Sequence, residues 1–404
     1  MNRRIRGHWE SVHSTLFVSR IVGGMLQVVM FAVIAREIGS RNFGPMIAAL
    51  VTVQLVGTLL EFGFGALLMS RQFFSEKVYL IRTLLSSTVV ISGLEASIGL
   101  LTYLFLPIQS NYVSALTVLL LWGAGERLSN LGLSLAISQS DSQEVRRNIL
   151  SRRLLTFLCF FVITLGGSWT VLGFCVFLSA SSLVGGLISV HRYRSYLSKF
   201  NMQDFRKIMQ LGFPFQVNSF INQLRNLDVF FLNFFVSSAV AGNYALALRF
   251  SQPFSIPMST LAQTGITAIS SNSRIMRIEF LKRYLSVLKY CIFFGFIVCL
   301  LPVDSITRSI LPNYPNINLS FKVQCLAFIV FGVIAIETSI LQGIGKKSFL
   351  LRISLLWILI TLLLTVTGGF LFGVVGASTG LFLGNLIQSV QLYRTRRNEV
   401  AAYE

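Results

Sequence analysis

Apolar runs of about 20 residues recur from one end of this 404-residue chain to the other. In hydrocarbon a backbone N–H or C=O has no water to turn to. A segment crossing it must therefore close its own hydrogen bonds, as a helix or as part of a closed barrel. About 20 residues at 1.5 Å per residue match a hydrocarbon core of roughly 30 Å. Barrel strands would instead read as alternating segments of about ten residues. Composition agrees, since 54% of the residues are hydrophobic and only 12% are charged, against about 25% charged in soluble domains. The pattern predicts an all-α polytopic membrane protein.

About twelve transmembrane helices are expected. The first six lie at roughly 15–35, 45–69, 81–106, 112–136, 149–166 and 169–190. The second six lie at roughly 212–236, 241–268, 284–303, 319–342, 348–367 and 373–392. With the N-terminus inside, the inward segments carry 25 Lys and Arg. The outward ones carry 4: Arg36, Arg41, Arg308 and Lys322. Positive charge stays on the cytoplasmic side, so both termini are predicted to be cytoplasmic. The net charge of +19 is thus absorbed by short loops, and no nucleic-acid partner is expected. The N-terminus MNRRIRGHWE is basic, but the apolar run after it holds Arg20 and lacks an A-x-A site, so it reads as an uncleaved first span.

The expected organisation is an N-terminal lobe at 1–190, a basic amphipathic linker at 191–211 and a C-terminal lobe at 212–404. In the linker Met202, Phe205, Ile208 and Met209 fall at helical spacing opposite Asp204, Arg206 and Lys207. That suits a short helix on the inner leaflet, the alternative being a solvated charged linker. The halves look related. Placing Gly44 on Gly242, an offset of 198, pairs Arg20 with Asn218 and Gln27 with Arg225. Chance similarity between apolar helices is the alternative.

The informative residues are those that do not belong in an apolar span: Arg20, Glu61, Glu95, Glu126, Arg127, Arg225, Asp228, Arg249 and Glu337. Each costs on the order of 2.5–3.5 kcal/mol at mid-membrane, so each should face a wet cavity or a partner. Asn218, Asn222 and Arg225 share a helix face, and Arg225 falls roughly 20 Å into span seven counting from Gly212. Asp228, a turn further on, can pair with Arg225. Gly23 and Gly24 beside Arg20, and Pro253 and Pro257 after Arg249, could bend their helices. We read Arg20, Asn218, Asn222, Arg225 and Arg249 as candidates for binding an anionic substrate. A carboxyl in a low-dielectric interior can take up a proton near neutrality. Glu61, Asp228, Glu95, Glu126 and Glu337 are therefore candidates for H+ or Na+ gradient coupling. No catalytic motif is visible: no Walker A, GxSxG or HExxH. The cysteines Cys159, Cys175, Cys291, Cys299 and Cys325 lie in apolar spans without metal spacing, so neither a metal nor a cofactor is expected.

Three stretches carry a resemblance: REIGSRNFGPMIAALVTVQLVGTLLEFGFG (Arg36–Gly65), LGFPFQVNS (Leu211–Ser219) and LDVFFLNFFVSSAVAGNYALALRFSQPF (Leu227–Phe254). With the span count, they make the chain resemble the polysaccharide-transporter branch of the multidrug/oligosaccharidyl-lipid/polysaccharide (MOP) exporter superfamily. More narrowly it is similar to the O-antigen flippases (Wzx type). Glu61 stands where that family often has Asp. Ser19-Arg20 with Gly23 is also similar to the first helix of lipid II flippases, which usually have fourteen spans. The resemblance implies two six-helix lobes around a central cation-lined cavity, as in MATE transporters. It implies a flippase for undecaprenyl-pyrophosphate-linked oligosaccharide in a bacterial inner membrane. A polysaccharide polymerase and a chain-length regulator would be its partners in lipopolysaccharide O-antigen assembly. The rival expectations are a drug/cation antiporter of the same superfamily and a non-transport membrane protein of polysaccharide assembly. The charge asymmetry makes its own prediction: activity reporters fused at either terminus should read cytoplasmic, and one inserted in the 304–318 loop should read on the far side.

Overall fold

The computed structural model describes residues 3–69, 77–105, 111–139, 141–166, 170–258, 261–262, 274–300, 311, 313–314, 317–343 and 347–401. Among these, every regular element is helical. The α-helices are α1 (Arg3–Glu61), α2 (Phe64–Met69), α3 (Lys77–Phe105), α4 (Asn111–Ser138), α5 (Ser142–Gly166) and α6 (Val171–Arg192). They continue with α7 (Met202–Leu224), α8 (Leu227–Phe235), α9 (Ser238–Ser251), α10 (Arg274–Leu300), α11 (Ile317–Gly343) and α12 (Lys347–Ala401).

Two of these helices each hold two expected spans. The backbone leaves the helical region at Gly39 (φ 73, ψ 164), which separates spans one and two within α1. It does so again at Phe372 and Gly373, which separates spans eleven and twelve within α12. Both breaks use a glycine at positive φ, where a Cβ would be strained. The backbone keeps helical dihedrals through Gly23 and Gly24. Gly23 lets the side chains of Ile149 and Arg153 approach. Pro253 acts as expected: α9 stops and a 3-10 turn, Gln252–Ser255, follows. Among the described residues, five stretches are long and apolar enough to cross a membrane: Thr15–Glu61, Val78–Phe105, Val171–Arg192, Ile317–Leu341 and Leu350–Arg397. Leu94, Leu104, Phe293, Phe296 and Phe370 are exposed on these and neighbouring helices. Apolar surface on that scale suits lipid contact and not water. The chain is a multi-pass membrane protein.

The contacts define two compact units, 1–38 with 45–230 and 39–44 with 231–404. In the first, α4 packs on α3, α5 and α6. Small residues bring α4 and α6 together, with Ser179 Oγ donating to the Val118 carbonyl (2.8 Å) and Ser182 Oγ to the Trp122 carbonyl (3.3 Å). The expected linker helix is the start of α7, which runs unbroken from the Asn201 cap into span seven. Ile208 is buried in a cluster with Phe64, Leu67, Leu80 and Tyr193, and Phe205 stands edge-on to Phe62 and Phe64. That part of its apolar face is covered by protein, while Met202 stays exposed. Because α7 packs on α2 and α3, the boundary between the units falls at 230/231.

In the second unit α11 packs on α9, α10 and α12. The segment 39–44 meets the start of α9 there. A Cβ on Gly44 would collide with the Ser238 carbonyl oxygen and lie 3.1 Å from the Gly242 nitrogen. A Cβ on Gly242 would collide with the Ser40 carbonyl oxygen and lie 3.1 Å from the Gly44 nitrogen. Each contact is the counterpart of the other: Gly44 and Gly242 stand 198 apart in the sequence, and so do Ser40 and Ser238. Gly44→Val should therefore destabilise the protein by about 1–3 kcal/mol or more through overpacking. Gly93→Ala, whose Cβ would meet nothing within 4 Å, should be neutral or slightly stabilising. Melting temperatures of the purified variants in detergent would separate the two.

Candidate functional site

Span seven is not continuous. α7 ends at Leu224, Arg225 and Asn226 form a turn closed by Asn226 N–H donating to the Gln223 carbonyl (3.0 Å), and α8 starts at Leu227. No glycine or proline stands at this break. Helix ends leave backbone groups unpaired, and inside a membrane these are tolerated where protein or a wet cavity satisfies them. Asp228 supplies part of the answer. It is buried in the first turn of α8, and its Oδ1 accepts from Val229 N–H at 2.7 Å. A carboxylate at that end also suits the helix dipole. Gln223 Nε2 ties the end of α7 to Gln54 Oε1 of α1 at 3.4 Å.

Arg225 is half-buried at the break. Arg20 is half-buried on the first arm of α1 and belongs to the same unit. Arg249 belongs to the second unit, in the last turn of α9, where its Nη1 donates to Gln252 Oε1 at 3.3 Å. A cation there offsets the C-terminal end of the helix dipole. The side chains of Asn218 and Asn222 lie outside the described residues.

The acidic candidates divide. Glu126 does not pair with its neighbour Arg127, because adjacent helical residues point to different faces. It lies 3.0 Å from Arg152 Nη1 of α5 and accepts from Ser182 Oγ of α6 at 3.3 Å. Glu337, fully buried on α11, lies 2.9 Å from Arg396 Nε of α12. Arg127 turns the other way, with Nη2 2.7 Å from Glu95 Oε2 on α3, both groups almost fully buried. Glu61 at the end of α1 also acts on Arg127, and its carboxylate accepts the Gly65 backbone N–H. This Glu61–Arg127–Glu95 group joins three helices. Sequence reasoning counted Glu95 among the acids that could couple to an ion gradient but gave Arg127 no site role. A usable signal was there: one arginine and two glutamates at similar depth in consecutive spans. A fourth pair, Arg192–Glu144 at 2.5 Å, ties the end of α6 to the first turn of α5. It lies outside the expected spans. Burial holds the Glu144 carboxyl above its ordinary range despite Arg192, and pushes the Tyr193 phenol up to about 12.

The profile of one family, described as polysaccharide biosynthesis protein, matches residues 13–266. The chain belongs to this polysaccharide biosynthesis protein family. The match runs from the first span through the eighth and takes in Arg20, Glu61, Arg127, Arg225, Asp228 and Arg249. No curated protein sequence matches the chain. Among solved structures, an inward-facing MATE multidrug resistance transporter of the MOP superfamily is similar over 96% of this chain and 98% of its own. The TM-score is 0.72 at 12% identity. The lipid II flippase MurJ in an inward closed conformation is similar over 95% of this chain and 87% of its own, with TM-score 0.72 and 14% identity. A MATE transporter, DinF-BH, in complex with R6G follows at TM-score 0.68 and 15% identity, over 97% of this chain and 95% of its own. This member of the polysaccharide biosynthesis family therefore has the fold of MOP-superfamily transporters.

Within the family fold, Arg127 is the single positive charge acting on Glu61 and Glu95 among the described residues. Arg127→Met should destabilise the protein by roughly 3–5 kcal/mol, because it leaves buried carboxylates uncompensated. Adding Glu95→Gln to it should recover much of the loss. Thermal unfolding of the single and double variants in detergent measures both.

Proposed function

We propose that this protein is a flippase. Its cargo is an undecaprenyl-pyrophosphate-linked oligosaccharide, the repeat unit of O-antigen or another surface polysaccharide. It moves that cargo across a bacterial inner membrane by alternating access, with both termini in the cytoplasm. The observation that carries this reading is Arg225 at an unforced helix break, within the segment matched to the polysaccharide biosynthesis family. Broken spans whose ends carry ionisable groups are how transporters make midplane binding sites. A guanidinium presents a planar fork that matches two phosphate oxygens at once. Arg20, Arg225 and Arg249, with Asn218 and Asn222, are the residues we assign to the pyrophosphate and its first sugars. The polyprenyl tail stays in lipid while the head group crosses, so the protein has to shelter only the polar part.

The fold shared with a protein named as a lipid II flippase supports a lipid-linked cargo. A cationic drug would favour an acidic, aromatic site, and the three interior arginines weigh against it. The transport cycle draws on an H+ or Na+ gradient and needs no bound cofactor. A polysaccharide polymerase and a chain-length regulator act on the delivered product.

Two measurements test this reading. Deleting the gene should trap lipid-linked oligosaccharide on the cytoplasmic leaflet, and its absence there would sink the proposal. Arg225→Ala and Arg249→Ala should each reproduce that block at normal protein level, losing roughly 2–5 kcal/mol of cargo interaction. Arg225→Lys should restore part of the function, since it keeps the charge and loses the fork.

A further inference from the structure

Arg127 offers one guanidinium to two carboxylates. With both acids ionised, the Glu61–Arg127–Glu95 group carries one net negative charge inside the bundle. Among the described residues no further charge acts on it. Glu126, next along α4, is turned to Arg152. The charged residues of the adjoining α7, namely Asp204, Arg206 and Lys207, do not act on either acid. Uncompensated charge in a low-dielectric interior is costly, and adding a proton removes it. The group also holds polar atoms with nothing to bond. Glu95 is 3% exposed and its Oε1, lying over Gly123, has no hydrogen-bond partner among the described residues. Arg127 is 5% exposed, and its Nε and Nη1 have none either.

The two acids are not equivalent. Glu95 is closed in and directly paired at 2.7 Å. Glu61 is half-buried, is not directly paired, and feels Arg127 at longer range. Glu61 is also the last residue of α1. The chain then turns through Phe62 (φ 49) and Gly63 (φ 68) before α2 begins. A non-glycine residue at positive φ is strained and persists where its surroundings hold it. Here α7 does the holding. Gln216 Nε2 donates to the last-turn carbonyls of Thr58 (2.6 Å) and Leu59 (3.1 Å). A Cβ on Gly63 would lie 2.5 Å from the Gly212 carbonyl oxygen and 2.7 Å from the Gln216 nitrogen.

We infer that Glu61 is a proton-binding site whose charge state is read by α7. Ionised, Glu61 competes with Glu95 for Arg127. When a proton from water adds to its carboxylate oxygen, Arg127 is left to Glu95 and the turn at Phe62–Gly63 is released from that pull. The α7 rod, gripped at Gln216 and Gly212, ends at the Arg225 break. Proton occupancy at one end of it is thereby linked to the geometry at the other. The use of this link to drive transport rests on the flippase reading; the site itself does not.

The test uses the full-length protein in lipid nanodiscs without cargo. Infrared difference spectra across a pH titration should show a carboxylic-acid C=O band that grows as pH falls. The band should vanish in Glu61→Gln and persist in Glu337→Gln. In Glu95→Gln its midpoint should move down by about 1–3 pH units, because Glu61 then has Arg127 to itself. Amide exchange at 62–68 and 211–216, corrected for intrinsic rates, should change with the same midpoint and should stay in the low-pH pattern in Glu61→Gln. If Glu61→Gln does not fold, Glu61→Asp should keep the band with a displaced midpoint. Persistence of the band in Glu61→Gln, an unmoved midpoint in Glu61→Asp, or pH-independent exchange in the wild type, would overturn the assignment. Suppression of the band by Na+ but not by K+ would also overturn it, in favour of a sodium site. None of these readouts involves lipid-linked oligosaccharide, so this inference and the flippase reading fail separately.

Discussion

A charged side chain among membrane helices needs a partner, and that need sets which helix faces which. Glu95–Arg127 joins α3 to α4, Glu126–Arg152 joins α4 to α5, and Glu144–Arg192 joins α5 to α6. Glu337–Arg396 joins α11 to α12. In the first unit the pairs tie α3 to α4 and α4 to α5 within the spans, and α5 to α6 just outside them. Replacing such a pair by well-packed apolar residues is often neutral or stabilising, so net stability is a weak account of their presence. Orientation is a better one. Apolar helices in lipid slide and rotate against each other at little cost, because lipid tails are as apolar as leucine. A buried ion pair removes that freedom by fixing one rotation for each helix.

Seen this way, Arg127 is the exception in the series. Among the described residues, Arg152, Arg192 and Arg396 each pair with a single carboxylate. Arg127 serves two, and the second, Glu61, sits where α1 ends in a strained turn. Balanced pairs and an unbalanced group occur side by side in one unit, and the difference between them is a count of charges.

The helical architecture was legible in the sequence because apolar length is a strong signal and lipid permits few solutions. The separation of spans one and two and the break at Pro253 were legible too, the first from the gap between apolar runs and the second because proline acts on the backbone directly. Two backbone details were not legible, for a common reason. The chain stays helical through Gly23 and Gly24, and neighbours decide whether a glycine bends a helix or admits a close contact. The break at Arg225 has no local breaker, so nothing in FINQLRNLDVFF announces it. Ion-pair partners were equally hidden. Glu126 has Arg127 beside it in sequence and Arg152 beside it in space. Contacts between helices depend on rotation and depth, which a span count does not contain.

The meeting of Gly44 with Gly242 carries a consequence for making hybrids of this protein. Segment 39–44 is covalently part of the first half and packs in the second unit. Exchanging the residues after 230 with those of a relative would thus cut through one contact from both sides. The carbonyl at Ser40 needs a glycine opposite at 242, and the carbonyl at Ser238 needs one at 44. A donor half lacking its glycine could not be rescued by the recipient's, because both guard the same gap. Compatibility between halves of different relatives is decided at that crossing before any question of cargo arises.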